Sequence, residues 1–419
     1  MNCLLQLLNP IDEEPRLKSD RNAERKQGAE AVVGGHICLD IIPEIKSRDL
    51  VFSEGFLQEI GRAVISTGGA VSNTGLALHR LGVTTLLMGK VGSDLFGHTL
   101  RQILSRYDPL LGDGLIESAD AVTSYSVILS PVGRDRMVLH CPGCNDTFSA
   151  DEIAYPRLGD VKLFHLGYPP LMRRLIDRDG SELVDLLRRA KETGVTTSLD
   201  MSMPDEASFA GNVNWPTILS RALPYVDIFV PSLEETLFAL YRDEFRRFSQ
   251  YPDGLFAAAT PEVVSSIGRD LLRLGPKIVG LKLGRLGLYL RTAAASRWTE
   301  VGRAEPTRSQ EWMSRELWSP CFQVEVVGTT GAGDTTFAGL LAALLRDGSP
   351  EACAAFACAV GACNTEAADA LGGVRNWEQT WNRIESGWER LQLPFSMTGW
   401  QWRESTGVWS GPDDHPRGC

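Results

Sequence analysis

An aspartate follows a glycine-rich turn in the stretch from Val326 to Ala338. The stretch is typical of a strand end, a tight turn and a helix that begins near Gly331. Glycines at such a turn let backbone N–H groups point in one direction, and the new helix adds its positive N-terminal end. We therefore expect an anion site at this turn, and phosphate is the anion that such turns usually bind.

Gly328 to Thr335 has the spacing of a phosphate-binding P-loop, except that Asp334 stands at the lysine position of that motif. A lysine would attract phosphate, whereas a carboxylate repels it. A carboxylate beside an anion hole suits a general base that removes a proton from a hydroxyl while N–H groups receive charge on a transferred phosphoryl group. The alternative is a plain strand-to-helix turn in which Asp334 caps the helix.

Short apolar strands alternate with amphipathic helices from about residue 161 onward. The predicted strands are 163–166, 195–200, 226–230 and 277–282, and the predicted helices lie near 181–192, 233–241 and 262–274. This alternation favours an α/β fold with a mainly parallel sheet covered by helices on both faces. A ligand then belongs at the carboxyl ends of the strands. The positions that follow strands and could meet there are Asp40, Gly69, Asn73, the 232–235 turn, Gly284 and the 328–334 turn.

Two polar side chains upstream are candidates for contacts to a ligand. Asp40 is the single charge in an apolar run, and it either caps a strand end or faces a cleft. Asn73 precedes a helix that stops at Gly82, and it could be only the N-cap of that helix. Residues 43–67 could form short antiparallel strands, and 123–140 has the pattern of a hairpin. In its turn, Arg134 and Arg136 could meet an anionic group or be solvated.

Composition excludes several partners. A formal net charge of −11 argues against nucleic acid or anionic membrane as the main partner. No apolar run reaches the roughly 18 residues of a membrane helix, and the start has no signal-peptide pattern, so we expect a cytoplasmic protein. Cys141 and Cys144 have a C-x-x-C spacing without a second pair, and buried or loop thiols are the preferred interpretation over a metal or redox site.

Two separated motifs resemble the PfkB/ribokinase family of carbohydrate kinases. The first runs from Gly68-Gly69 through Asn73 and Leu81-Gly82 to Gly89-Lys90-Val91-Gly92-Ser93-Asp94 and Gly97, and the second is Thr329 to Asp334 followed by Phe337-Ala338-Gly339. The resemblance implies a ribokinase-like three-layer α/β/α domain over about 29–390, with a small β-lid drawn from 43–67 and 123–140. It leaves a loosely ordered leader (1–28) and a tryptophan-rich tail (391–419) unexplained.

The resemblance also implies roles for individual residues. The reaction would transfer the ATP γ-phosphoryl group to a CH₂OH, with Asp334 as base and the N–H groups of Gly331, Ala332 and Gly333 as anion hole. The substrate side would comprise Asp40, Gly68, Gly69 and Asn73, and the nucleotide side Lys282, Gly284, Gly287 and Thr330. Because members of this family can dimerise through the lid, the resemblance also allows a homodimer through the lid here.

The metal sites follow the family less closely. Glu235 would hold Mg²⁺ through water, although Ser232 replaces the family's asparagine; alternatively, Glu235 is a solvated helix-start acid. Lys282 replaces a threonine, and it could pair with a phosphate or be a surface lysine. Gly328 stands where many members have an aspartate that helps to hold a monovalent cation, so potassium dependence is in doubt.

The sequence thus predicts an ATP- and Mg²⁺-dependent kinase of a small sugar or sugar acid. A nucleoside kinase of the same fold is the nearest alternative. A non-catalytic sugar- or nucleotide-sensing protein is the rival from another class, against which an intact Asp334 argues. A nicotinamide-dependent enzyme is excluded because Gly34-Gly35 is not followed by the required G-x-x-G spacing.

Overall fold

The computed structural model describes residues 28–48, 50, 53–132, 136–251, 254 and 259–416. Apart from Gly28, the expected leader lies outside the described residues, and so does Arg134. The strands are β1 Ala31–Gly35, β2 Cys38–Pro43, β3 Ala63–Gly68, β4 Thr85–Met88, β5 Lys90–Gly92, β6 Ile116–Ser118, β7 Tyr125–Leu129, β8 Met137–Cys141, β9 Leu163–Gly167, β10 Thr196–Asp200, β11 Ile228–Phe229, β12 Ile278–Lys282, β13 Leu288–Thr292, β14 Glu316–Ser319, β15 Gln401–Arg403 and β16 Val408–Ser410. The helices are α1 Gly69–Arg80, α2 Leu95–Tyr107, α3 Arg173–Glu192, α4 Phe209–Asn212, α5 Trp215–Ala222, α6 Leu233–Leu240, α7 Arg242–Phe248, α8 Pro261–Arg273, α9 Ala332–Leu345, α10 Pro350–Thr365 and α11 Trp377–Glu385.

The central sheet has ten strands in the order β15-β16-β14-β13-β12-β11-β10-β9-β1-β4. The pairs from β4 to β12 are parallel, and those from β12 outward to β15 are antiparallel. Every residue of β1, β9 and β10 is buried, which requires cover on both faces of the sheet. The mainly parallel α/β sheet predicted from the sequence is therefore confirmed. Among the described residues, no helix combines the length and the apolarity needed to cross a membrane.

A second sheet of four strands, in the order β3-β2-β7-β8, forms the expected lid. The hairpin of β7 and β8 lies where it was predicted. The prediction of strands within 43–67 is partly wrong, because β2 begins earlier, at Cys38, and β3 occupies only the end of that range. Consequently Asp40 lies inside β2, opposite Ser66, and it does not cap a strand end.

The C-terminal segment completes the central sheet. β16 pairs with β14, and β15 pairs with β16 at the sheet edge. Two ion pairs fasten this segment. Arg315 Nε contacts Asp414 Oδ1 at 2.8 Å, and both of these side chains are buried. Arg291 Nη2 contacts Asp413 Oδ2 at 2.6 Å, and Asp413 is partly exposed. The stretch 292–323 supplies β14, the strand with which the tail pairs.

Candidate active site

Asp334 lies in the first turn of α9, and its side chain is 3% exposed. Its Oδ1 accepts a hydrogen bond from the Tyr168 hydroxyl at 2.6 Å and from Thr74 Oγ1 at 3.4 Å. Its Oδ2 accepts one from Asn73 Nδ2 at 3.0 Å. Burial raises the pKa of Asp334 above its ordinary value, and the bonds from Tyr168 and Asn73 and the charge of Lys282 oppose that rise. Hydrogen bonds from two separate chain segments therefore hold one buried carboxylate in a fixed orientation.

The glycine turn in front of α9 packs closely against the chain segment that follows α10. Gly331 is the N-cap with φ of +71°, and a Cβ there would lie 2.6 Å from the Ala370 carbonyl oxygen. Asn364 Nδ2 donates to the Thr330 carbonyl at 2.9 Å. The Ala332 N–H donates to Thr329 O at 3.3 Å within the turn itself. The N–H groups of a first helical turn lack partners within the helix, so this end of α9 can accept an anion.

The substrate side expected from the sequence lies beside Asp334, on β2 and at the start of α1. Asp40 is 6% exposed, and Cys38 Sγ donates to its Oδ1 at 3.4 Å. Burial raises the pKa of Asp40 to about 6. A Cβ on Gly68 would lie 2.2 Å from Asp40 Oδ2, and one on Gly69, whose φ is +82°, would lie 2.5 Å from His36 Nδ1. The two glycines therefore make room for neighbouring polar side chains.

Two histidines line the cavity on this substrate side. The Nε2 atoms of His36 and His140 are 3.3 Å apart, and His140 Nδ1 lies 3.1 Å from Ser126 Oγ. Burial lowers the pKa of both rings, so both are neutral at pH 7. Neutral imidazole, hydroxyl and carboxylate groups together can exchange hydrogen bonds with a ligand that carries several hydroxyls.

Of the four residues expected on the nucleotide side, three line the cavity and Gly287 does not. Lys282 and Gly284 line the cavity, as does Thr330, whose hydroxyl accepts from Arg136 Nη1 at 2.5 Å. The side chain of Lys282 is only 10% exposed, so the alternative of a surface lysine is wrong. Gly287 has φ of +93°, and its Cα faces the Ser319 backbone, since a Cβ would lie 2.0 Å from that carbonyl oxygen. Gly287 therefore shapes the turn between β12 and β13.

Glu235 lies on the wall of the cavity and also closes the N-terminus of α6. Its Oε2 accepts the Ser232 N–H at 2.7 Å, and Ser232 Oγ accepts the Glu235 N–H at 3.1 Å. This is a capping box, so the helix-start role weighed from the sequence is real. The carboxylate remains on the cavity wall, and its oxygen chemistry fits a hydrated Mg²⁺.

A single cavity of about 950 Å³ joins these parts. The residues on its wall that the sequence singled out are Asp40, Gly69, Asn73, Glu235, Lys282, Gly284, Thr330, Gly331, Gly333 and Asp334. A polar side with hydroxyl-binding groups and an anion-binding helix end thus meet at one buried carboxylate. That arrangement can deprotonate a hydroxyl and stabilise negative charge next to it.

Sequence reasoning missed His36, Ser126 and His140 on the substrate side, and it also missed two residues that follow or end strands. Tyr168 and Asp200 come directly after β9 and at the end of β10, where the strand-end rule places ligand contacts. The same rule that selected Asp40 could have found them. Tyr168 also has φ of +65°, a conformation that sequence does not reveal for a residue other than glycine.

Known proteins resemble this chain in sequence and in fold. The family model for pfkB family carbohydrate kinases matches residues 29–375. An uncharacterized sugar kinase of Archaeoglobus fulgidus is 24% identical over 278 residues, which cover 66% of this chain and 90% of that protein. A probable fructokinase of Arabidopsis thaliana is 23% identical and covers 75% of this chain and 81% of its own length.

Among solved structures, Arabidopsis thaliana ribokinase complexed with ribose and ATP aligns with a TM-score of 0.63 and 19% identity. The alignment covers 86% of this chain and 99% of the ribokinase. That likeness confirms the ribokinase-like fold, with its central sheet between helical layers. Because the family model spans most of the sequence, this chain belongs to the pfkB family of carbohydrate kinases.

Proposed function

We propose that this protein transfers the γ-phosphoryl group of ATP to a CH₂OH group of a small sugar or sugar acid, with Asp334 as general base. The observation that carries the proposal is the position of Asp334. It is buried between the hydroxyl-binding side chains near Asp40 and the anion-binding end of α9, within one cavity. A sensor would have no use for a buried carboxylate there, since its burial is costly.

In this mechanism each part of the cavity has a separate task. Asp40 and Asn73 bind substrate hydroxyls and orient the reacting one toward Asp334, which takes its proton. The N–H groups of the turn at Gly331 and Gly333 and the ammonium of Lys282 face the transferred phosphoryl group. The lid strands β2 and β7 limit the access of water to the same space.

Mg²⁺ fits the carboxylate of Glu235, which would hold it through water. When bound, the ion neutralises charge on the nucleotide phosphates. In the proposed mechanism the protein's own contribution on this side is to fix that carboxylate, through the capping box with Ser232.

A coupled ADP-release screen over sugars, sugar acids and nucleosides tests the proposal directly. We expect Mg²⁺-dependent turnover with at least one sugar or sugar acid and none in the Asp334→Asn variant. Turnover with nucleosides alone would favour the nucleoside-kinase alternative. Thermal stabilisation by a sugar without ADP release from any compound would favour the sensor.

Tyr168→Phe is expected to shift the pH profile of the reaction. Because the Tyr168 hydroxyl donates to the ionised carboxylate of Asp334, its loss raises the pKa of that base further. The base must be deprotonated to act, so the acid limb of kcat/KM moves to higher pH, and activity on that limb falls about tenfold. Initial rates from pH 5.5 to 9 measure the shift.

Tyr155→Phe is the matched control for this variant. Its hydroxyl also makes a 2.8 Å hydrogen bond, but to the Ala150 carbonyl outside the cavity. We expect its pH profile to coincide with that of the unmodified protein. An unshifted acid limb in Tyr168→Phe would show that this hydroxyl does not act on the base.

Asp40→Asn should weaken substrate binding and stabilise the fold. A carboxyl whose pKa is raised to about 6 by burial stabilises the fold at low pH, and that contribution is lost as pH rises from about 4 through about 6. At pH 8 the ionised group costs up to about 3 kcal/mol, which the amide removes. We expect KM for the sugar to rise about 10- to 100-fold and the free energy of unfolding at pH 8 to increase. Urea unfolding and steady-state kinetics measure both, and a drop in stability with unchanged KM would contradict the assignment.

Potassium is not expected to activate the reaction. A Cβ on Gly328 would lie 2.9 Å from the Ala367 carbonyl oxygen, so the cation-holding aspartate of other members has no room at this position. Equal rates in sodium, potassium and a bulky organic cation are the expected result. Strong activation by potassium alone would refute it.

A further inference from the structure

The end of β12 carries a buried ion pair that the family resemblance does not account for. Lys282 Nζ lies 2.6 Å from Asp200 Oδ1, and the two side chains are 10% and 0% exposed. Although burial lowers it, the negative charge of Asp200 raises the pKa of Lys282 above its ordinary value, so the ammonium stays charged. Asp200 is fixed in turn, because its Oδ1 also accepts the Met201 N–H at 2.8 Å.

The Lys282 ammonium lies beside the first turn of α9. A Cβ built on Gly333 would be 3.6 Å from Nζ, and Nζ is 5.9 Å from the centre of the Phe337 ring. An ammonium has three hydrogen-bond donors. Within the part of the chain that the structure describes, Asp200 accepts one of them and no side chain or carbonyl accepts the others. Two donors therefore remain for an anion at the helix end.

Three carboxylates compete for this single ammonium. Besides Asp200, the charges of Glu235 and Asp334 both act on Lys282. A direct ion pair between Lys282 and Asp334 would stabilise the charged form of the base and make it a weaker proton acceptor. Asp200 prevents this in the structure, because it holds the ammonium by the shortest contact.

Asp200 also helps to place the other group that contacts the base. Its backbone carbonyl accepts the Tyr168 N–H at 3.3 Å, and the Tyr168 hydroxyl donates to Asp334. One residue at the end of β10 thus sets the position of both the ammonium and the tyrosine. This connection is independent of the charge of the Asp200 side chain, so the two effects can be separated by substitution.

We propose that Asp200 is a positioning residue: it holds the Lys282 ammonium against the N-terminus of α9, where the ammonium binds the transferred phosphoryl group, and keeps it away from Asp334. The proposal rests on the proposed kinase function. It gives Lys282 a place in the reaction itself, as a fixed cation at the anion site.

Asp200→Asn tests the positioning role, since it keeps the backbone contact to Tyr168 and removes only the charge. With that charge gone, Lys282 is drawn to Asp334, so kcat should fall about 10- to 100-fold. The binding of ATP should weaken by less than in Lys282→Met, because the ammonium is displaced but not removed and a carboxylate that repels phosphate has been lost. The dissociation constant of ATP, measured by calorimetry, should therefore rise by less than about tenfold. A merely structural role would not lower kcat while ATP binding is largely kept.

Lys282→Met and the double variant complete a mutant cycle. Lys282→Met should lower kcat about 10²- to 10³-fold and weaken ATP binding at least about tenfold. Adding Asp200→Asn to Lys282→Met should cause no further loss of kcat, because the ammonium that Asp200 positions is already absent. If the losses of kcat in the two single variants multiply in the double variant, the proposal is overturned.

The opposite end of the same strand supplies a matched control. Lys277 precedes β12, and its Nζ lies 3.0 Å from Asp227 Oδ1. Both side chains are largely buried, as they are in the pair of Lys282 and Asp200. Lys277→Met should lower the melting temperature and leave kcat and KM of the folded protein unchanged.

Measuring ATP binding separates a failure of the kinase proposal from a failure of the positioning role of Asp200. If the unmodified protein releases no ADP with any compound, the kinase proposal fails, and ATP binding still tests the ion pair. Binding that is at least tenfold weaker in Asp200→Asn would overturn the positioning role, as would an unchanged kcat in an active enzyme.

Discussion

Asp334→Asn is expected to lower kcat by about 10²- to 10⁴-fold, while the affinity for ATP stays within about twofold. The amide has nearly the shape of the carboxylate, and its oxygen can still accept the bond from Tyr168. Its NH₂ group can donate to the Asn73 amide oxygen once the Asn73 amide turns over, so the cavity should keep its form. It cannot accept the proton of a substrate hydroxyl. Coupled ADP release measures kcat, and calorimetry with ATP in the presence of Mg²⁺ measures the affinity.

Asp347→Asn is the control for this substitution, since Asp347 follows the other end of the same helix and is exposed. Its φ of +57° suits asparagine as well as aspartate, so the rate should remain unchanged. Stability should fall slightly, because the Asp347 carboxylate accepts hydrogen bonds from the Thr307 N–H and hydroxyl. Turnover by Asp334→Asn at the unmodified rate would mean that another group removes the proton.

Gly331→Ala is expected to lower kcat by about 10²- to 10³-fold through the anion site. At φ of +71° a side chain is strained, and its Cβ would lie 2.6 Å from the Ala370 carbonyl oxygen, so the turn must move. Hydrogen bonds from N–H groups to a developing charge depend on positions within a few tenths of an ångström. Steady-state kinetics should therefore show a loss of kcat greater than the loss of stability explains.

Gly399→Ala distinguishes backbone strain from displacement of the anion-binding turn as the cause of that loss. Gly399 has a similar φ of +81°, but a Cβ there would meet no atom within 4 Å. It should lower stability by about 1 kcal/mol through backbone strain and leave kcat unchanged. If Gly331→Ala behaves like Gly399→Ala, the turn does not serve as the anion site.

Much of the site was predictable because its signals are local. The glycines around Gly331, the following Asp334 and the apolar helix after it lie within one short stretch, and their order alone indicates a strand, a turn and a helix. Asp40 and Asn73 were singled out as positions that follow strands, whereas the structure places Asp40 inside β2 and Asn73 inside α1. Their meeting in one cavity depends on the lid sheet, because α1 begins directly after β3, the antiparallel partner of β2.

The remaining features depend on contacts between distant segments. The pairing of Asp200 with Lys282 joins the ends of β10 and β12, which the sequence separates by 82 positions. Only the strand order, with β11 between them, brings these ends together. The left-handed conformation of Tyr168 is likewise imposed by tertiary contacts, since no local pattern favours it in a tyrosine.

The start of β2 shows the same limit on a smaller scale. Alternating polarity within 43–67 suggested strands there, whereas the lid strand begins at Cys38 because β3 and β7 pair with it from that point. Pairing partners, which are not visible in a single segment, therefore decided where the strand begins. The interpretation of Asp40 changed with that boundary, because Asp40 lies inside β2 and does not cap a strand end.

The order of strands at the far edge of the central sheet bears on how the chain matures during synthesis. β14 ends at Ser319, but its outer neighbour β16 is made only when the ribosome has reached Ser410. At a synthesis rate of about 5–20 residues per second, the nascent chain carries an open strand edge, with the buried Trp318 beside it, for several seconds. Through that interval Arg315 also lacks Asp414, one of the two carboxylates that pair with it. A premature stop between residues 335 and 400 should therefore yield aggregates, even though every proposed catalytic residue has by then been translated.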